Sequence, residues 1–165
     1  MRIEKKVAKL LTNQRKTLSI AESCTGGLLC HRLTNIAGSS NFFKIGLVVY
    51  SNDAKMKFLK IPSTVLIEHG AVSCEVARRM AQEIRKKLQT DFGIGITGIA
   101  GPGGATARKP IGLTFIAISK KNETISKQFI FKGNRSTIKS QAATWALRML
   151  LSFLQSSEEK VQSRK

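Results

Sequence analysis

Residues 17–29 constrain the fold more than any other part of this chain. An apolar run of strand length is followed by small hydroxyl and glycine residues at positions 23–27, and then by apolar residues at helical spacing. This order predicts a strand that delivers Ser23 to a tight turn at the N-terminus of a helix. Such a turn exposes a nucleophile beside backbone N–H groups, whose positive field favours either a phosphate or a developing oxyanion. The local residues leave both possibilities open.

Length and composition predict one compact domain over residues 1–155 and a polar tail over residues 156–165. The chain has 165 residues, 42% of them hydrophobic, which is enough for one core. It has no apolar run of membrane-spanning length and no secretory signal at its start, so we expect a cytoplasmic protein that does not bind membranes. The three cysteines form no CxxC pair, and the two histidines lack ligand spacing, so we predict neither a disulfide framework nor a metal site.

The charge is strongly positive, with a formal net charge of +18 and a pI near 10.4. Nucleic acid or another polyanion is therefore a candidate partner. The basic residues are nevertheless spread along the chain without interleaved aromatic residues, which favours a general lysine bias over a dedicated nucleic-acid surface.

Helical and strand patterns alternate along the first two thirds of the chain, and a hairpin follows. Strands are predicted at residues 17–21, 42–50, 92–97, 111–119 and 124–131, and helices at the N-terminus, after residue 27, around Lys55, at residues 63–68 and 75–88, and from Ser136 onward. The order predicts an α/β fold, a three-layer α/β/α sandwich with a mixed central sheet. Because ligands bind where strand ends meet loops in such sheets, residues 17–27 and 94–104 are expected to share one pocket.

Five short motifs, taken together, resemble a known family. They are AESCTGG at residues 21–27, AGSS at 37–40, VYSNDAK at 49–55, HGAVS at 69–73 and TGIAGPGG at 97–104. Their order and spacing, from about residue 7 to residue 154, are similar to the CinA C-terminal domain family, whose domain also occurs alone as a nicotinamide mononucleotide amidohydrolase. The resemblance implies hydrolysis of the carboxamide of nicotinamide mononucleotide to nicotinic acid mononucleotide and ammonia, without a cofactor, by a homodimer.

The resemblance also implies the catalytic residues. Ser23 matches the nucleophile, Lys55 the general base, and Tyr50 a neighbouring residue that relays a proton or holds the lysine. A lysine acts as a base only when burial or nearby positive charge lowers its pKa. The remaining site residues are expected to bind the substrate, and its phosphate is expected near the glycine-rich turns or near a basic side chain such as Arg135. These substrate-binding residues are Thr25, Gly26, Gly27, Thr97, Gly98 and Arg135.

Each catalytic assignment has a plainer structural alternative. Ser23 is also a typical helix cap, Lys55 a typical solvated helix residue, and Tyr50 a typical core residue at a strand end. Cys24 is a rival nucleophile, but alternation along a strand directs it away from the face of Ser23. Glu22 either braces the site or forms an ion pair with Lys55.

Two segments depart from the family pattern. In the loop of residues 105–109, Ala-Thr-Ala-Arg precedes Lys109 where the family usually has acidic residues before a Lys-Pro pair, and Asn134 replaces a frequent aspartate before Arg135. We expect the first change to affect substrate preference and the second to remove a charge that orients the arginine. The alternative function is a non-enzymatic protein that binds nucleic acid or nucleotides through its basic surface.

Overall fold

The computed structural model describes residues 1–162, in which one five-stranded sheet is combined with six α-helices. The last three residues of the predicted polar tail, 163–165, lie outside the described part. The helices are α1 (Ile3–Asn13), α2 (Leu28–Thr34), α3 (Asn52–Leu59), α4 (Ser63–His69), α5 (Cys74–Lys87) and α6 (Arg135–Gln162). The strands are β1 (Leu18–Glu22), β2 (Phe43–Val48), β3 (Phe92–Gly98), β4 (Leu113–Lys120) and β5 (Glu123–Ile130).

The sheet is mixed, as predicted. Its strand order is β2-β1-β3-β4-β5. Strand β1 pairs in parallel with both β2 and β3, whereas β3, β4 and β5 pair antiparallel. The carboxyl ends of β1, β2 and β3 therefore lie at one edge of the sheet, where the chain leaves toward Ser23, Tyr50 and Gly98.

Helices cover both faces of the sheet, which confirms the α/β/α sandwich. Helices α1, α2 and α6 pack together on one face, and α3 and α4 pack against α5 on the other. Strand β1 is buried along its whole length because it lies between these layers. Gly93 and Gly95 of β3 lie directly against the backbone carbonyls of Ala81 and Ala77 in α5, an approach that a Cβ atom would prevent.

Helix α6 is longer than the sequence predicts. It begins at Arg135, one residue before the predicted start, and continues through Gln162 into the polar segment. The Asn134 side chain accepts a hydrogen bond from the Thr137 N–H (2.9 Å), so the residue that replaces the family aspartate caps this helix. Within the described residues, no helix is both long enough and apolar enough to cross a membrane.

Candidate active site

The turn after β1 has the predicted strand–turn–helix form. The Ser23 N–H donates to the Ile96 carbonyl of β3 (3.0 Å), which extends the parallel pairing by one residue. Gly26 and Gly27 then adopt positive φ values of 60° and 91°, which reverse the chain into α2. Ser23 is only 7% exposed, at the end of the central strand.

Helix α3 brings Lys55 to Ser23. The Ser51 side chain accepts from the Ala54 N–H (3.0 Å), which caps α3 and places Lys55 in its first turn. Lys55 is 1% exposed, and its Nζ lies 3.1 Å from Ser23 Oγ. The same Nζ donates to the carbonyls of Val49 (3.0 Å) and Tyr50 (3.4 Å). The predicted nucleophile and the predicted general base are thus in hydrogen-bond contact although 32 positions separate them.

Burial lowers the pKa of Lys55 below its ordinary value of 10.5, because the charged ammonium loses its hydration. No carboxylate in the described part of the chain lies within ion-pair distance of its Nζ to oppose this effect. In general, an amine whose pKa is lowered by burial is able to act as a base toward a hydroxyl within hydrogen-bond distance.

Glu22 is fully buried and binds the start of α2. Its carboxylate accepts hydrogen bonds from the backbone N–H groups of Gly27 (3.1 Å), Leu29 (3.2 Å) and Cys30 (2.8 Å). It forms no ion pair with Lys55, so of the two alternatives for Glu22 the bracing role is the one observed.

The hydrogen bonds of the turn leave two of its N–H groups without an acceptor. The Gly26 N–H donates to the Ser23 carbonyl (3.1 Å), and the Gly27 N–H is held by Glu22. Among the residues described, the N–H groups of Cys24 and Thr25 have no acceptor. The Thr25 hydroxyl is also buried without a hydrogen-bond partner. The free donors of this turn therefore lie directly after Ser23 rather than at the glycines.

Tyr50 lies in the loop after β2, since that strand ends two residues earlier than the sequence suggests. The residue is 58% exposed, and its hydroxyl accepts from the Arg135 guanidinium (2.8 Å). Arg135 also donates to the Gly101 carbonyl (2.7 Å). Only the Tyr50 backbone carbonyl contacts Lys55, while its side chain ties the β2–α3 loop to the glycine-rich loop and to α6.

Thr97 and Gly98 end β3 beside the Ser23 turn. The Thr97 hydroxyl is buried and donates to the Ala71 carbonyl (2.7 Å). A Cβ at Gly98 would lie 2.7 Å from the Leu113 carbonyl, so the close approach of β4 requires glycine here. Both residues thus position the loops around the turn.

The rival nucleophile Cys24 points into the core on the α1–α6 side of the sheet. Burial raises the pKa of its thiol to about 12, so it holds its proton near neutrality. This agrees with the opposite orientations that strand alternation predicts for Ser23 and Cys24.

Two lysines near the site are not evident from sequence patterns alone. Lys109 donates to the carbonyls of His69 (2.8 Å) and Val72 (2.7 Å), which fixes the altered loop of residues 105–109 against the segment that bonds Thr97. The Nζ of Lys139 lies 3.5 Å from the position that a Cβ on Gly26 would occupy. The available signal for Lys139 is its place four residues after Arg135, on the same face of α6.

The opposite end of the sheet carries a basic cleft of about 1180 Å³, which we call the far-end cleft. Its basic residues are Lys16, Arg85, Lys86, Lys120 and Lys121. Three of these cations are paired with carboxylates, Lys16 with Asp91 (2.9 Å), Lys86 with Glu83 (2.8 Å) and Lys120 with Glu123 (2.7 Å). In the described part of the chain, no group of three His, Cys, Asp or Glu side chains is arranged to hold a metal ion.

Known proteins are similar to this chain in sequence and in fold. A CinA-like protein of Syntrophus aciditrophicus is 48% identical over 153 residues, which are 92% of this chain but only 36% of that protein. A competence or damage-inducible protein from Enterobacter asburiae has 35% identity and a TM-score of 0.89, with 92% of this chain and 96% of that chain covered. A competence-damaged protein (CinA) superfamily protein from Klebsiella pneumoniae has 30% identity and a TM-score of 0.90, with 93% and 96% covered.

The match to a family extends over almost the whole domain. Residues 1–154 match the CinA C-terminal domain, and this range contains the Ser23 turn, α3 with Lys55, and most of α6. The chain therefore belongs to the CinA C-terminal domain family.

Proposed function

We propose that this protein is a serine–lysine amidohydrolase that converts nicotinamide mononucleotide to nicotinic acid mononucleotide and ammonia. The observation that carries the proposal is the 3.1 Å contact between the buried Nζ of Lys55 and the Oγ of Ser23. A serine hydroxyl is a weak nucleophile until a nearby base takes its proton, and a lysine of lowered pKa is such a base. The choice of substrate rests on the resemblance in the five motifs.

In the first half of the reaction, neutral Lys55 takes the proton of Ser23 Oγ while this oxygen attacks the carboxamide carbon. The negative charge that develops on the carbonyl oxygen is stabilised by the N–H groups of Cys24 and Thr25, which have no acceptor among the described residues. The tetrahedral intermediate collapses as Lys55 returns the proton to the departing amine. Ammonia leaves, and the acyl group remains esterified to Ser23.

In the second half, water replaces ammonia. Lys55 takes a proton from the water, whose oxygen attacks the ester carbon, and then returns the proton to Ser23 Oγ. The products are the carboxylic acid and the free enzyme. The carbonyls of Val49 and Tyr50 keep Nζ beside Ser23 in both halves because they accept hydrogen bonds from it.

The test is an ammonia-release assay on nicotinamide mononucleotide with purified protein. We expect release by the wild type, a loss of about 10³-fold or more for Ser23→Ala, and no change for the control Ser152→Ala, whose serine is exposed on α6. A wild type that releases no ammonia, or a Ser23→Ala variant as active as the wild type, would contradict the proposal.

A second candidate function is binding of nucleic acid at the far-end cleft, which five basic residues line. Its test is a salt series, because each phosphate contact releases counterions and makes affinity fall steeply with salt. Binding of duplex DNA or of RNA at physiological salt that weakens steeply as salt rises supports this function. An affinity that is absent there, or insensitive to salt, excludes it.

A further inference from the structure

The N-terminus of a helix after a glycine turn is the usual place for a substrate phosphate, but in this protein it is already occupied. The Glu22 carboxylate accepts the N–H groups of Gly27, Leu29 and Cys30 at 2.8 to 3.2 Å. A phosphate brought there would displace these bonds and meet a buried negative charge. The phosphate of a mononucleotide must therefore bind elsewhere around the turn.

Arg135 is the basic residue that the sequence suggests for the phosphate, and both of its terminal nitrogens already donate hydrogen bonds. One nitrogen donates to the Gly101 carbonyl at 2.7 Å and the other to the Tyr50 hydroxyl at 2.8 Å. These bonds connect three segments of the site. A phosphate that took these two N–H groups would displace both bonds, whereas Lys139 can bind one without breaking any.

Lys139, unlike Arg135, has an ammonium group without a hydrogen-bond partner among the described residues. It lies one helical turn after Arg135 on α6, and its Nζ extends over the turn, 3.5 Å from the Cβ position of Gly26. Gly26 is exposed, so this ammonium lies at the surface of the Ser23 turn rather than inside the core. Within the described residues it forms no hydrogen bond and no ion pair.

We propose that Lys139 is a specificity-determining residue that binds the phosphate of the substrate, so that the mononucleotide lies across the turn from Ser23 to Gly26. This inference rests on the proposed function and adds to it the group that recognises the phosphate. A compact ammonium with three donors suits a phosphate dianion, and a half-buried one keeps more of its attraction than a fully solvated one. The absence of a side chain at Gly26 leaves the space in which the ammonium and the phosphate meet.

The test compares nicotinamide mononucleotide with nicotinamide riboside, which has the same carboxamide and no phosphate. The variants are Lys139→Gln, which keeps the length and removes the charge, Lys139→Arg, which keeps the charge, and the control Lys121→Gln at the other end of the sheet. For Lys139→Gln we expect KM for the mononucleotide to rise about tenfold or more with kcat nearly unchanged, because the contact is made equally in ground and transition states. Both constants for the riboside should stay within about twofold of wild type, and Lys139→Arg and Lys121→Gln should resemble wild type on both substrates.

An unchanged KM for the mononucleotide, or an equal rise for the riboside, would overturn the inference while leaving the amidohydrolase activity intact. Binding is measured separately by calorimetry with nicotinamide mononucleotide, in a Ser23→Ala background where no turnover occurs. If the double variant Ser23→Ala, Lys139→Gln binds the mononucleotide more weakly than Ser23→Ala alone, the phosphate site is supported even when the wild type releases no ammonia. Equal binding by both proteins, or no binding by either, contradicts it.

Discussion

The two ends of the central sheet use lysine in different ways. At the carboxyl ends of β1 and β3, Lys55 is buried and contacts Ser23, and no carboxylate of the described structure lies within ion-pair distance of it. At the other end, the lysines of the far-end cleft are partly exposed, and Lys16 and Lys120 pair with carboxylates. Although the residue type is the same, burial lowers the pKa of Lys55, whereas Lys16 and Lys120 form ion pairs at the partly exposed surface.

This difference separates reactivity from total charge. The net charge of +18 comes from many basic residues. Surface cations change the long-range electrostatic potential of the protein, but they do not make one side chain a base. A single buried amine costs desolvation energy that surface lysines do not, and here the contacts of its Nζ are Ser23 and two backbone carbonyls. We therefore attribute the proposed reaction to the Ser23 end alone.

The largest expected effect on the rate of ammonia release comes from removing a lysine amine at the Ser23 end of the sheet, compared with removing one at the opposite end. Lys55→Met retains the length and apolar stem of the side chain but cannot accept a proton, so we expect ammonia release to fall by about 10³-fold or more. Lys121→Met removes one exposed charge and should leave the rate within about twofold. The measurement is the initial rate of ammonia release at saturating nicotinamide mononucleotide. Comparable losses in both variants would mean that total charge, rather than the buried base, supports activity.

The pH dependence of kcat/KM and of the free energy of unfolding tests whether Lys55 differs from the exposed lysines. Since Lys55 must be neutral to act as a base, kcat/KM should rise about tenfold per pH unit up to its lowered pKa and level off above it, at a pH below 10.5. The sign for stability is the same. Between the lowered pKa and 10.5 the unfolded chain keeps the Lys55 proton and the folded chain does not, so the free energy of unfolding rises with pH there.

Lys55→Met should remove that rise in stability, and Lys121→Met should keep it. The measurement is urea unfolding at a series of alkaline pH values, alongside the rate profile of the wild type. A rate that is flat with pH across this range, or a stability slope that Lys55→Met does not reduce, would show that Lys55 keeps its ordinary pKa.

The sequence predicts most of the fold because its patterns are local. Strand β1 with its glycine turn is predicted and confirmed, and the observed caps of α3 and α5 are also local, because Ser51 and Ser73 each accept from an N–H three residues later. The start of α6 differs by one residue because Asn134, rather than Ser136, caps the helix. Strand β2 ends at Val48, two residues before the predicted end, and the carbonyls of Val49 and Tyr50 accept hydrogen bonds from Lys55.

The Ser23–Lys55 contact is predicted through the family motifs, but the partners of the turn are not. The N–H groups at the start of α2 donate to the Glu22 carboxylate. The sequence leaves two roles open for Glu22, because it does not show which way a buried carboxylate points. The exposed position of Tyr50 and the bonds of Lys109 join segments far apart in the chain. Long-range side-chain bonds of this kind leave no periodic signal in the sequence.

A smaller effect is expected from changing one carboxylate at each end of the sheet. Glu22 is fully buried and accepts three N–H groups, whereas Glu123 is 49% exposed and pairs with Lys120. Glu22→Gln turns part of an acceptor into a donor against the start of α2, and we expect it to lower the free energy of unfolding by about 2 kcal/mol. Glu123→Gln should cost about 0.5 kcal/mol or less, since exposed pairs contribute little.

Chemical unfolding at pH 7 measures both changes, and the same preparations report activity. Because Glu22 holds the turn that follows Ser23, we also expect Glu22→Gln to lower kcat on nicotinamide mononucleotide, and Glu123→Gln to leave it unchanged. Equal stabilities for the two variants would mean that Glu22 does not stabilise the start of α2.

The smallest effect is expected at Asp91, which joins β3 to the start of β1 at the end opposite Ser23. Burial opposes ionisation of its carboxyl, but hydrogen bonds from Lys16 Nζ, the Thr17 N–H and the Thr17 hydroxyl, each 2.9 Å, outweigh it and lower the pKa of Asp91 below 3.8. The folded state therefore binds this proton less readily than the unfolded chain. The resulting stabilisation is complete above the unfolded pKa and is lost as pH falls through the lower folded value.

Asp91→Asn should accordingly lower the free energy of unfolding at pH 7 by about 1 kcal/mol or less, because Lys16 and Asp91 are both partly exposed. The difference from wild type should shrink as the pH is lowered toward about 2 and also in about 1 M salt, where the ion pair is screened. Urea unfolding at these pH and salt values measures it, with ammonia release as the second readout. A difference that persists unchanged in acid would assign the effect to packing, and a loss of ammonia release would mean that the two ends of the sheet do not act independently.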